Sequence, residues 1–572
     1  MVAHADQLGR RTDTLDEAVR QAEPLDELLA DAALGTWRRF AIGSSVARLT
    51  FNLARHPRAV FHRSSEYLGE ISRIALGASD VAPSPRDRRF SDTAWQNNPF
   101  LRRLLQTYLT TAGSAEAIVC DAQLDWESQK KIEFALDNLI EALAPSNSPL
   151  TNPEALKAAV DTGGATLVTG ARRFLGDMSS APRIPSMVDR SQFTVGGNLA
   201  VTPGKVVHRT ELFELIQYAP STPEVLSVPI LVVPPMINKY YVMDLAPGRS
   251  LVEFLVGQGV QVFMISWRNP QPRHRTWGFD TYAGGILEGL GSVEQITGSQ
   301  QTQLFGACSG GVVSAMTSAH LAHLGTLDRL AGLTLVVTVL DQSRAGFAGA
   351  AVDRRTVNLA KAASARKGYL DGRTLAEVFA WLRPGDLIWN YWVNSYLLGK
   401  QPPAFDILAW NADVTRMPAK LHHDFLDQGV GNTLVTPGEQ VLLGSPVDLG
   451  AVDVDAYVVA GAADHLCDWK SCYGTPGLLG GKTRFVLSTS GHIAAIVNPP
   501  GNPKARFQVS DDNRATPEDY QSGAAPQQGT WWTDYAEWLH DRCGPMKPAP
   551  SELGGGRFEP LTDAPGTYVF EQ

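Results

Sequence analysis

Apolar residues in the first part of the chain recur every three or four positions. From Pro24 to about Gly77 they include Leu28, Leu29, Ala32, Leu34 and Trp37, then Val46, Leu49 and Leu53, the period of helices with one face turned to a core. Arg38, Arg39, Arg48, Arg55, Arg58 and Arg63 are interleaved. They read as the solvated face of helices packed on their own domain, with an interfacial surface as the alternative. Residues 78–92, rich in Pro, Ser and charge, read as a loop. Helical spacing returns at Phe100–Tyr108, Leu124–Ala144 and Pro153–Leu175, interrupted by a turn cluster at 144–153. Residues 1–200 are therefore expected to form an all-helical N-terminal domain.

Near Phe193 the pattern changes to short apolar runs rich in β-branched residues. Val206–His208 and Leu212–Tyr218 are strand-like, followed by Val228–Val233, Val260–Ser266, Thr302–Phe305 and Leu333–Leu340. A candidate helix, Leu251–Gln258, lies between two of them. Strands separated by helix-length segments predict a parallel α/β sheet, because parallel neighbours need crossover connections. The alternation stops from Asp341 to about Asp453, a helix-rich stretch with aromatic runs at Leu375–Leu382 and Asp386–Leu398. A segment of that length is read as a cap subdomain at about 342–453. Sheet patterning resumes at Ala456–Gly461 and Arg484–Ser488, and the Gly/Pro-rich end holds one predicted helix, Trp531–Leu539, anchored by Trp531, Trp532 and Trp538.

Between the run Thr302–Phe305 and the helix candidate Val312–His320 stands Gly306-Ala307-Cys308-Ser309-Gly310-Gly311. This is G-x-C-x-G, a nucleophile elbow with sulfur in place of the usual hydroxyl, and it predicts an α/β-hydrolase fold for residues 201–572. Gly306 and Gly310 would stand where a side chain would clash, and Cys308 at a helix N-terminus would be favoured as thiolate. That fold orders its catalytic groups as nucleophile, acid, histidine. Asp464 follows Ala456–Gly461 and His492 follows Arg484–Ser488, each at a strand end. His492 would take the proton of Cys308, and Asp464 would orient His492 or act as a base itself. Asp341 is a rival acid, and His465 is a local partner or a second base. The oxyanion hole is expected from the Ser309 backbone N–H and one from the loop Pro234–Lys239, near Met236 or Ile237, with Ile237 the chosen position. Sulfur favours acyl transfer from a thioester, because thioester exchange is nearly balanced and holds the acyl group for onward transfer.

The formal charge of −9 gives no general electrostatic reason to bind nucleic acid or a membrane. Five cysteines, odd in number and unevenly spaced, argue against a disulfide framework and for a reducing compartment. Cys467 and Cys472 with His465 have no second ligand cluster elsewhere, so no metal site is expected. No apolar core of a signal peptide and no spanning apolar run is present, which places the protein in the cytosol in expectation.

Taken together, a set of stretches resembles the polyhydroxyalkanoate synthases over nearly the whole chain. They are Asp87–Phe90 with Trp95 and Asn98–Pro99, Ala144–Pro149, Gly197–Gly204, Pro234–Leu245, Ser266–Pro270, the Cys308 elbow, Trp389–Trp392, Phe405–Asn411, Ala463–His465, and Gly491–Ile493 with Asn498–Pro500. The elbow, Trp389–Leu398 and Ala564–Val569 look most like the single-subunit type associated with medium-chain monomers. The resemblance implies Cys308, Asp464 and His492 as nucleophile, aspartate and histidine. It implies that Cys308 accepts an (R)-3-hydroxyacyl group from coenzyme A, after which a hydroxyl attacks and a polyester grows. It further implies no metal or redox cofactor, coenzyme A being carried in by the substrate and released, and a cytoplasmic homodimer on polyester granules. A thioesterase or depolymerase with the same triad is the hydrolase alternative, and a granule scaffold with a vestigial elbow is a third. No Gly-rich phosphate cradle is found, so no residue is assigned to coenzyme A. One departure from the family pattern is Leu466–Trp469, where hydrophobic-x-Pro-Trp is usual. Trp389, Trp392 and Trp410 are read as cap core in preference to a lining of the acyl path.

Overall fold

The computed structural model describes residues 25–35, 43–85, 87–343, 354–464, 466–512 and 516–572. Trp37, Arg38, Arg39 and His465 lie outside the described residues. By internal contact the chain divides into two units, Leu34–Asp189 with Arg373–Ala404, and Met1–Ala33 with Arg190–Gly372 and Phe405–Gln572. The insertion at 342–453 is thus shared between the two.

The first unit is helical, with helices at Gly43–Arg55, Pro57–Leu76, Pro99–Asp121, Trp126–Ala142, Pro153–Asp161 and Ala165–Met178. Asn98 and Asn152 cap two of them, each accepting from backbone N–H groups in the first turn ahead of a proline at the first helical position. The expected helix over Pro153–Leu175 is broken at Gly163 and Gly164, whose φ values of 60° and 86° end one helix and start the next. Two of the interleaved arginines are held inside the unit: Arg63 pairs with Asp121 at 2.7 Å and Arg48 with Asp125 at 3.2 Å. Trp392 donates its indole N–H to the Asn147 carbonyl at 3.0 Å, and Trp389 packs against Ile184, Ala380 and Ile388. Both serve as core of this unit.

The second unit is built on a sheet which, among the described residues, has eleven strands. In chain order they are β1 Gly204–Arg209, β2 Phe213–Tyr218, β3 Ile230–Val233, β4 Val262–Trp267, β5 Thr302–Ala307, β6 Leu330–Val336, β7 Ala456–Gly461, β8 Thr483–Ser488, β9 Arg506–Ser510, β10 Pro526–Gln528 and β11 Thr562–Asp563. Their spatial order is β10-β9-β8-β7-β6-β5-β3-β4-β2-β1-β11. Neighbours from β4 to β8 pair in parallel, as the crossovers require, and both flanks are antiparallel. Every residue of β3, β5 and β7 is buried, which explains why β3 and β7 read as continuous apolar runs.

Three features differ from the sequence pattern. β6 stops at Val336 instead of running to Leu340, because Val337 turns to φ 45° and Thr338 hydrogen-bonds back to the Val336 carbonyl at 3.0 Å. The strands β9, β10 and β11 are additional. They are short, with β10 wholly exposed and a single buried residue in β9, so no apolar run betrayed them. The helix Leu25–Leu34 has its buried part against the sheet unit, where His422 meets the Leu29 carbonyl at 3.1 Å.

Two C-terminal segments hold this unit together near the elbow. The helix Trp531–His540 buries Trp531, Trp532, Tyr535 and Trp538. Its two leading indoles donate to the carbonyls of Ala495 and Ile496 at 2.7 and 3.2 Å, and Tyr535 meets Thr334 of β6 at 2.9 Å. The tail is bound by Glu214 of β2, a fully buried carboxylate that accepts from the backbone of Thr567 and Tyr568 and the hydroxyl of Thr567, with Arg209 as counter-charge. Lys239 donates to the Val569 carbonyl at 2.5 Å and pairs with Asp413 at 3.1 Å. Trp410 is buried with its indole N–H on the Lys239 carbonyl at 2.8 Å, which makes it core as well. Glu214→Ala leaves Arg209 and three tail donors without their acceptor. The expected cost is about 3 kcal/mol, read as a lowered unfolding midpoint together with faster proteolysis after Leu561.

Candidate active site

β5 runs into the helix Ser309–His323 through Cys308, which takes φ 49° and ψ −122°. A non-glycine residue in that region is strained and persists only when its surroundings impose it. Here they do. A Cβ on Gly306 would meet the Gly311 Cα at 2.6 Å and the Ser314 Oγ at 2.7 Å. One on Gly310 would meet the carbonyl oxygens of Pro234 and Val233 at 2.5 and 2.6 Å. The two glycines expected at the crowded positions are thus where strand, helix and the loop Pro234–Lys239 close on one another. From the other side, the Cys308 N–H donates to Val336 at 2.9 Å.

His492 begins the helix His492–Ile496 after β8, and Asp464 stands in the turn after β7. The His492 Nδ1 lies 2.7 Å from Asp464 Oδ2. Asp464 Oδ1 accepts from the backbone N–H groups of Leu466 and Cys467 at 2.8 and 2.9 Å, fixing the carboxylate and folding the turn back. The rival, Asp341, is engaged elsewhere, accepting from Ser343 and from Asn432. The sulfurs of Cys308 and Cys467 and a ring nitrogen of His492 all lie within 4.8 Å of one another. The structure therefore brings the three residues chosen from the sequence together and adds a fourth, Cys467.

All four side chains are almost withdrawn from water, at 8% exposure or less. The Cys308 thiol is lowered to about 5, first by the hydrogen bond with Cys467 and then by that with His492 and its charge; burial opposes this, and the Ser309 N–H adds a smaller push. His492 is raised to about 10, its burial outweighed by the Asp464 carboxylate and by Cys308. Cys467 is pushed well above its ordinary range by the thiolate it donates to and by burial. The two shifts run in the direction that favours a Cys308 thiolate beside a His492 imidazolium, with the Cys467 S–H as a third support.

The elbow also shows how the expected oxyanion donors are arranged. The buried Ser309 hydroxyl accepts from the Met236 N–H at 3.0 Å, so that amide is occupied. Ile237, buried, follows it in the loop, and the Ser309 amide sits at the first helical position. Sequence reasoning missed the Met236–Ser309 bond and the placement of Cys467. The departure at Leu466–Trp469 marked the right turn, but the direction of the Cys467 side chain depends on Asp464 capping that turn.

Residues 86–255 match the family described as poly-beta-hydroxybutyrate polymerase (PhaC) N-terminus, and residues 237–499 match the alpha/beta hydrolase fold. The chain is 44% identical over 540 residues to poly(3-hydroxyalkanoate) polymerase 2 of Ectopseudomonas oleovorans, covering 94% of this chain and 96% of that one. It is 40% identical to poly(3-hydroxyalkanoate) polymerase of Methylorubrum extorquens, covering 86% of this chain and 81% of that one. To the poly(3-hydroxyalkanoate) polymerase subunit PhaC of Cupriavidus necator it is 36% identical, over 87% and 85%. Among solved structures, a soluble variant of the Saccharomyces cerevisiae monoglyceride lipase has a TM-score of 0.34 at 11% identity, covering 63% of this chain and 98% of that one.

The charge on Cys308 is directly testable. Alkylation by iodoacetamide reports the thiolate, which is present above the thiol's pKa and lost below it. The wild-type rate is expected to fall away as pH drops through about 5. In Asp464→Asn, which weakens the hold on the imidazolium, and in Cys467→Ala, which removes a donor, that midpoint moves to higher pH. An unmoved midpoint in both would mean that neither group supports the charge. With 44% identity spanning nearly both full chains and the α/β-hydrolase sheet in place, the chain belongs to the poly(3-hydroxyalkanoate) polymerase family.

Proposed function

We propose that this protein is a polyhydroxyalkanoate synthase that polymerises (R)-3-hydroxyacyl groups from coenzyme A through a thioester on Cys308. The observation that carries this reading is the buried Cys308–His492–Asp464 constellation on a strained elbow, in a chain related end to end to poly(3-hydroxyalkanoate) polymerases. The Cys308 thiolate attacks the thioester carbonyl, and charge moves onto the carbonyl oxygen. The Ser309 N–H and the Ile237 N–H are the donors assigned to it. As the carbon–sulfur bond to coenzyme A breaks, the His492 imidazolium protonates the departing sulfur. His492 is then neutral, held by Asp464, and is ready as a base for the hydroxyl of a second hydroxyacyl unit. That hydroxyl attacks the Cys308 thioester, an oxygen ester forms, and thiolate and imidazolium are restored.

Sulfur suits both halves of this cycle. Loading exchanges one thioester for another at little free-energy change, and transfer to an alcohol runs downhill. The burial of Cys308 and His492 favours the alcohol over hydrolysis. We assign the protein to the cytoplasm, as a homodimer at the surface of polyester granules. Among the described residues no helix is long and apolar enough to cross a membrane. Exposed Phe61, Leu68 and Leu76 on the helix Pro57–Leu76 support contact with an apolar surface.

The test is incubation with (R)-3-hydroxyacyl-CoA of several chain lengths, measuring coenzyme A release and extractable polymer. Release and polymer should rise together, and both should vanish in Cys308→Ala. Asp464→Asn should slow release by on the order of 10²–10⁴-fold. Free hydroxy acid in place of polymer, or undiminished release by Cys308→Ala, would overturn the assignment.

A further inference from the structure

We propose that Cys308 and Cys467 form a reversible oxidation site, which a peroxide closes into a disulfide and a dithiol reopens. The basis is placement. The two sulfurs belong to one buried cluster within 4.8 Å, they arise from the ends of different strands, and Cys467 sits in an irregular turn. Such a turn can yield the small rotation that brings sulfurs to bonding distance, about 2.05 Å. Of the other cysteines, Cys472 and Cys543 are fully buried outside this cluster, and Cys120 lies in the helical unit. The proposed polymerisation uses Cys467 only as a hydrogen-bond donor to the Cys308 thiolate and leaves the redox chemistry of a second thiol there unused.

The chemistry balances with hydrogen peroxide as the only oxidant. The Cys308 thiolate attacks one peroxide oxygen, the O–O bond breaks, and the departing hydroxide takes a proton to become water. Cys308 is then a sulfenic acid, oxidised by two electrons, and the peroxide is reduced. The Cys467 sulfur loses its proton and attacks the Cys308 sulfur, the S–S bond forms, and the S–O bond breaks to release a second water. In total two thiols and one peroxide give one disulfide and two waters. A dithiol reverses this by exchange and is itself oxidised. Without Cys467 the sulfenic acid meets more peroxide and passes to sulfinic acid, which thiols do not reduce. A route that admits an acyl thioester to Cys308 also admits peroxide.

The full-length protein is treated with hydrogen peroxide in the presence of a metal chelator, so that a cation bridging the same groups has no part. Intact mass, peptide mapping and coenzyme A release are then followed before and after dithiothreitol. For the wild type the expected result is a loss of about two mass units, a peptide pair joining Cys308 to Cys467, and activity that returns to its starting rate on reduction. Cys467→Val should give no joined pair, a gain of about 32 mass units on the Cys308 peptide, and activity that does not return. Cys472→Ala should behave as wild type. In the wild type itself, prior alkylation of Cys308 should leave Cys467 unoxidised, an arm that needs no variant to fold. Joining to Cys472 instead, or wild-type protein that gains oxygen irreversibly, would overturn the proposal. The mass measurements stand whether or not Cys308 is the polymerising nucleophile, so failure here is distinct from failure of the assigned function.

Discussion

A negative charge on Cys308 has almost no water to stabilise it, and burial alone would drive the thiol toward its neutral form. Everything that offsets this comes from the protein: the Cys467 thiol, the His492 cation, the Ser309 N–H and the positive end of the helix Ser309–His323. These groups enter from the C-terminal ends of β5, β7 and β8. Their distances are therefore set by the parallel register of Thr302–Ala307, Leu330–Val336, Ala456–Gly461 and Thr483–Ser488, not by any local segment. The sheet is the instrument by which residues far apart in sequence share a charge.

Much of this was legible beforehand, for reasons that can be named. The elbow could be read because it is local: the glycines at 306 and 310 are demanded by backbone approaches within a few residues and one neighbouring loop. The core strands could be read because both faces are buried, which leaves an unbroken apolar run. Asp464 and His492 were assigned from their places at strand ends and from the family resemblance, with Asp464 preferred to Asp341, and in the structure His492 Nδ1 lies 2.7 Å from Asp464. What escaped was non-local or weakly patterned. The strands β9 and β10 at one flank of the sheet are short and carry few apolar residues, and β10, at the edge, is wholly exposed. Cys467 looked like half of a C-x4-C pair, since nothing in its own neighbourhood states that a turn capped by Asp464 aims it at Cys308.

The site also leans on parts of the chain that contribute no reacting group. The His492 helix spans only His492–Ile496, too short to hold its own orientation, and its last carbonyls are pinned by Trp531 and Trp532. The loop that supplies the Met236 and Ile237 amides ends at Lys239, which is held by Val569 and Asp413. Tryptophans that read as mere anchors in the sequence, and the C-terminal tail, therefore hold the His492 helix and the loop Pro234–Lys239 in place.

β6 and β7 are adjacent and in register, Leu333 beside Ala456 through Val336 beside Val459, although the whole insertion lies between them. Chain entropy explains why this is tolerable, since each doubling of a closed loop costs only about 0.6 kcal/mol. To the sheet, the excursion is nearly the same whether it is short or long. Among its attachments to the sheet unit are Asp413 with Lys239 and Tyr241, Asp424 with the Phe279 amide, and Trp410 with the Lys239 carbonyl. Cys308, Asp464 and His492 therefore stand at the ends of strands whose register is left intact by the long segment between β6 and β7, even though part of that segment builds the core of the other unit.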